Sequence, residues 1–130
     1  MKYVCFGYLD VKKWGTYPQG EQNDMVDACF SYDELLQKNG HWAGGEGLAG
    51  PEGTKSLQFQ NGKVVVTDGP FAESKEVLGG LLIIEARDLN EAIQLISNHP
   101  GVKMGAWEIR PAVDLTPMIE ESKRRRAAKN

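Results

Sequence analysis

The sequence predicts an α+β domain on the ferredoxin-like plan, an antiparallel sheet with two helices on one face. Three observations predict it. The elements read β-α-β, then a β-hairpin, then β-α-β. Two stretches carry a helical apolar period with recognisable start and stop signals. An Asn-Gly pair sits between two β-branched or aromatic runs, as a tight hairpin requires. With 130 residues, 41% hydrophobic and 25% charged, the chain suits one domain with a core of its own.

Lys2 to Leu9 (KYVCFGYL) is a strand, aromatic or β-branched on both faces. Residues 10 to 22 contain Gly15, Pro18 and Gly20 and read as a loop. From about Asn23 to Asn39 the period is helical. Met25, Cys29, Tyr32 and Leu36 step by four, three and four, and Ala28 and Leu35 widen the stripe. Asn23 or Asp24 caps its start, and Asn39-Gly40 supplies a left-handed stop. The segment HWAGGEGLAGPEGT opens as a short strand and turns into a loop from Leu48 to Thr54. SLQFQ-NG-KVVVT is a hairpin, because a type I′ turn needs positive φ at both central positions and Asn61-Gly62 tolerates it. VLGGLLIIEA is a strand with an unbroken apolar run. Asp88 caps the next helix with Glu91 as its capping-box partner, and Leu89, Ala92, Ile93 and Ile96 face inward. Pro100-Gly101 stops that helix, and AWEIR is the last strand, closed by Pro111. Residues 1–113 form the domain, and 114–130 a tail with a short helix and a basic, disordered end.

A sheet covered on one face alternates apolar and polar residues. Leu81-Leu82-Ile83-Ile84 and Val64-Val65-Val66 do not alternate. Both sheet faces call for burial, and two helices cover only one, so a homodimer with its sheets face to face is expected.

The net charge of −3 is unevenly spread. Residues 120–130 hold five basic and two acidic side chains, leaving ten basic and sixteen acidic on the body. An acidic body argues against nucleic acid as the main partner, and KRRR at a terminus reads as a solvated tail. Neither a signal peptide nor a membrane span is expected. Cys5 and Cys29, the two cysteines, sit in apolar patterns and read as reduced thiols of a cytoplasmic protein.

The stretch with most chemistry is VTDGPFAESKEVLGG, residues 66 to 80. Turn residues stop a β-branched run, and a charged cluster follows. It resembles the signature of the DGPF family, a branch of the YCII-related domains, through Asp68-Gly69-Pro70-Phe71-Ala72-Glu73, Lys75-Glu76 and Gly79-Gly80, with Ser74 where the family usually has Thr. MKYVCFGY, GGEGL and WEIRP resemble the family's first strand, mid-chain glycine segment and closing strand, so the likeness spans about residues 1 to 113. It implies a dimeric α/β barrel of ferredoxin-like halves. It also implies an association with extracytoplasmic-function sigma factors, and it brings no assigned activity.

Asp68 is the candidate acid/base, a carboxylate at a strand end that either presents to a pocket or closes its own turn. His41 is its candidate catalytic partner. Glu46, set among glycines that let a ligand approach, is a candidate ligand-binding residue, as are Phe71, Lys75, Glu76 and Arg110. Lys75 between carboxylates suits an anionic group. His41 and His99 show no ligand spacing with other metal-binding residues, so no metal site is expected, and GGEGLAG lacks the lysine and helix of a phosphate loop, so no cofactor is expected either. Two functions stand: a small-molecule-binding protein or enzyme with a cavity beside the DGPF loop, or a non-catalytic regulatory or interaction module.

Overall fold

The computed structural model describes residues 1–71 and 74–129; Ala72 and Glu73 of the DGPF stretch lie outside the described residues. The strands are β1 (Lys2–Leu9), β2 (Trp42–Gly47), β3 (Lys55–Gln60), β4 (Lys63–Asp68), β5 (Val77–Glu85) and β6 (Trp107–Pro111). The helices are α1 (Val11–Gly15), α2 (Gln19–Lys38), α3 (Leu89–Ser97) and α4 (Thr116–Ala128). The main sheet has the order β2-β5-β1-β6 and every pairing in it is antiparallel. Counting only those four strands in chain order, this is the ferredoxin-like arrangement. β3 and β4 form a separate two-stranded ribbon.

Register decides which side chains meet. Tyr3 lies opposite Ile84 and Cys5 opposite Leu82, all four on the helix-covered face. There they bury against Leu36 of α2 and Ala92 and Ile96 of α3. Each buried Leu or Ile side chain among them contributes about 1.5–3 kcal/mol by leaving water. Burial pushes the Cys5 thiol up to about 11, so it remains protonated and inert.

The local signals act largely as the chain foretells. Asn61 and Gly62 both have positive φ, at 51° and 81°. Gly40, at φ 78°, ends α2. Asp88 accepts from the Glu91 N–H at 2.9 Å, and Glu91 accepts from the Arg87 N–H. Three expectations need correction. Residues 10 to 22 are not a loop: Asp10 caps α1 through the Lys13 N–H, and α2 starts at Gln19, well before Asn23. Pro18 sets the entry to α2, and the Gln22 amide holds the carbonyls of Trp14 and Tyr17, which offsets the cost of Gly20 in the first turn. Asn23 is not a cap; its oxygen accepts from Gln19. In α3, Leu89 and Ile93 face solvent, while Ala92 and Ile96 are buried and Leu95 packs against the core half-buried. Finally, the basic end is helical through Ala128, braced by Glu121 against Arg124 and Arg125, and no residue of α4 is buried.

Candidate functional site

The helix-covered face of the sheet carries large side chains at one end and glycines at the other. Gly47 of β2 pairs with Gly80 of β5, and Gly80 pairs with Gly7 of β1. The row ends on Trp107 of β6, opposite Gly7. A methyl at Gly7 would sit 2.8 Å from the Trp107 ring, and one at Gly45 would sit 2.9 Å from the Trp42 ring. The two indoles therefore lie over glycines, where any Cβ would displace them. Between this strip and α2 is a cavity of about 410 Å³.

α2 supplies its polar wall. Cys29 and Asp33 are four residues apart and so share one face of the helix. Asp33 Oδ1 lies 2.9 Å from His99 Nε2. The Gly101 N–H donates to His99 Nδ1, also at 2.9 Å, which makes Nδ1 the acceptor. The ring proton therefore sits on Nε2 and is donated to Asp33. His99 is only 4% exposed. Tyr32 meets its ring edge-on at 5.3 Å and Trp107 lies at 5.2 Å, while the Tyr32 hydroxyl is anchored on the Leu95 carbonyl. The imidazole is clamped, and through it so is the carboxylate.

Among the described residues, Asp33 Oδ2 accepts no hydrogen bond, and no buried side-chain nitrogen or oxygen lacks a partner. Oδ2 is thus accessible, on a residue that lines the cavity. A carboxylate held by one oxygen and free at the other can accept a proton from a bound molecule or hold it by a charge-assisted hydrogen bond. Burial raises the Cys29 thiol, and the Asp33 carboxylate beside it raises it further, so Cys29 faces the cavity as a thiol rather than a nucleophilic thiolate. Among the described residues no group of three His, Cys, Asp or Glu is placed to hold a metal.

The residues singled out in the sequence distribute differently. Of them, only Glu46 borders this cavity, and it does so through its backbone: its pairing with Leu81 sets its side chain on the sheet face away from α2. Asp68 ends β4 on the ribbon, where its exposed carboxylate pairs with Lys55 across the hairpin. His41 lies 2.9 Å by Nδ1 from the Glu85 carbonyl and joins the start of β2 to β5. Lys75 and Glu76 line a different cleft, of about 740 Å³, beside Asp10, and Lys75 stands 3.8 Å from the Asp10 carboxylate. Phe71 is exposed, and Arg110 is exposed on the outer strand β6. The DGPF stretch reaches the cavity through its closing Gly79-Gly80. The sequence reading missed Asp33 and His99, which are 66 residues apart. One signal was available for the first: an aspartate flanking Tyr32 on the apolar stripe of a helix.

Comparison with known proteins agrees with this architecture. The YCII-related domain family matches residues 1–116. A protein of Rhizobium meliloti (strain 1021), described as uncharacterised, is 36% identical over 113 residues, covering 85% of this chain and 91% of its own. Among solved structures, the 5-chloro-2-hydroxyhydroquinone dehydrochlorinase of Burkholderia phenoliruptrix AC1100, in complex with 2,5-dihydroxybenzoquinone, superposes with a TM-score of 0.52. It is 17% identical, over 87% of this chain and 94% of its own, a likeness of fold. By the match of the family model over residues 1–116, the chain belongs to the YCII-related domain family.

Proposed function

We propose that this protein binds a small molecule in the cavity between the sheet and α2, and that Asp33, held by His99, exchanges a proton with it. The observation that carries this reading is the division of labour on Asp33, a residue that lines the cavity: Oδ1 is fixed by a buried imidazole while Oδ2 is left without a partner among the described residues. The size of the cavity, about 410 Å³, suits a molecule of one or two rings. The solved structure with the same fold is an enzyme holding a small molecule, which supports the reading by analogy. In this reading Asp33 takes the acid/base role, and Glu46 contributes backbone only.

4-Nitrophenol tests the proton role, because only its phenolate is coloured. A carboxylate facing the phenol oxygen disfavours the phenolate, so binding to the wild-type protein is expected to shift the phenol titration to higher pH. With Asp33→Asn, which keeps an acceptor for His99, that shift should largely vanish. An unchanged titration at saturating protein, or an equal shift with the Asn variant, would rule the role out.

The same reading includes a homodimer in the cytoplasm. Val4, Phe6, Leu81 and Ile83 lie on the sheet face away from the helices. On one face of the ribbon Leu57, Phe59, Val64 and Val66 are 57%, 75%, 57% and 58% exposed. A lone ribbon is marginal in water, and a contiguous apolar patch marks an interface. A second copy covers both surfaces. Light scattering at micromolar concentration should give twice the chain mass of 14.4 kDa, and a mass of one chain would overturn the dimer. Cys5 and Cys29 are free thiols, in keeping with a reducing compartment. Among the described residues no helix is long and apolar enough to cross a membrane.

A further inference from the structure

The glycine floor of the cavity is not uniform along its length. A methyl placed on Gly7, Gly45 or Gly80 meets a heavy atom within 3 Å: the Trp107 ring, the Trp42 ring and the Glu46 carbonyl oxygen, respectively. A methyl placed on Gly47 meets nothing within 4 Å. Gly47 shares its sheet face with Gly45, two residues before it, and with Gly80, its partner in register. That face is the one turned to α2. The empty volume above Gly47 is therefore part of the cavity, and the surface beneath it is bare backbone.

From this we propose that the cavity is a slot for flat rings, and that Gly47 is a specificity-determining residue because it leaves the slot's floor without a side chain. The inference rests on the small-molecule reading above and names the ligand class for that site. Trp42 and Trp107 lie down over their glycines rather than standing into the space, so they bound the slot at its two ends without closing it. α2 provides the opposite wall through Cys29 and Asp33. A planar ring lying on the strip places one face on the peptide backbone and its edges on the indoles, a geometry favourable to aromatic pairs. A ring substituent carrying an exchangeable proton then points at Asp33 Oδ2. A saturated ring has the same outline but axial hydrogens on both faces, and it needs a thicker space.

Benzyl alcohol and cyclohexylmethanol separate shape from acidity, since both bear the same kind of aliphatic hydroxyl. The saturated compound has the larger apolar surface, so burial alone favours it. Binding to the full-length protein is followed through the indole N–H resonances of Trp42 and Trp107 in heteronuclear NMR. Benzyl alcohol is expected to bind at least tenfold more tightly. Gly47→Ala is expected to reduce its affinity tenfold or more with an unchanged melting temperature, because the added methyl enters open space. Equal affinity for the two alcohols, or unaltered binding by Gly47→Ala, overturns the flat-slot inference and leaves the small-molecule reading standing. If neither alcohol perturbs the indole resonances at any concentration, both are overturned.

Discussion

Gly105→Ala is expected to cost at least about 3 kcal/mol and to lower the melting temperature by roughly 10 °C or more. Gly105 lies just before β6, where the chain returns to the end of β1. The Tyr8 N–H donates to the Ala106 carbonyl at 2.9 Å, which locks the two segments together. A methyl at residue 105 would fall 1.9 Å from the Tyr8 carbonyl oxygen and 2.8 Å from its carbon. Both atoms are backbone, so no rotamer change relieves the clash. The segment must move, and Trp107, two residues on, moves with it. Since the whole domain is worth about 5–15 kcal/mol, the loss is a large share. Thermal unfolding followed by circular dichroism measures it. A melting temperature within about 3 °C of wild type would show that the junction yields cheaply.

The His99–Asp33 pair should be nearly as sensitive, with a graded pattern. Asp33→Asn keeps an oxygen for the Nε2 proton and should cost less than about 1 kcal/mol. Asp33→Ala leaves a buried donor without a partner and should cost about 1–3 kcal/mol. His99→Ala removes the acceptor of the Gly101 N–H and opens a void between Tyr32 and Trp107 as well, for a loss of about 3 kcal/mol or more. The double variant Asp33→Ala/His99→Ala should then be less destabilised than the sum of the singles by about 1–2 kcal/mol. Denaturant unfolding of the four proteins reads this directly. Additive losses would mean that the hydrogen bond between the two residues contributes nothing, and Asp33 would lose its anchor in the mechanism as well.

These outcomes bear differently on stability and function. Gly105 is structural, and its replacement distorts the cavity only through the backbone. Asp33→Asn is the opposite case, a nearly silent change in stability that removes the group able to exchange a proton. A protein that folds and binds as the Asn variant, but no longer shifts the titration of 4-nitrophenol, would separate the two roles cleanly.

The fold is legible in the sequence because it rests on local signals. Asn61-Gly62 specifies its turn through backbone φ, Asp88 and Glu91 their cap through hydrogen bonds within one turn, and Gly40 its helix stop. The order of strands and helices then leaves few topologies, and the ferredoxin-like one follows. The unalternating run at residues 81 to 84 also announced a second apolar sheet face. The site, by contrast, is set by long-range packing. Charge and turn chemistry drew attention to Asp68, Lys75 and Glu76, but turn and ion-pair chemistry look the same in a sequence whether they serve a ligand or a hairpin. Asp68 meets Lys55 across the ribbon, a pairing set by strand register. Asp33 and His99 carry no spacing signal because the chain between them runs through β2, β3, β4, β5 and α3 before the two side chains meet, and a hydrogen bond across such a distance is a product of packing. The same holds for the glycines. Gly7, Gly47 and Gly80 are unremarkable one at a time, and they become the floor of a cavity only when antiparallel register places them side by side.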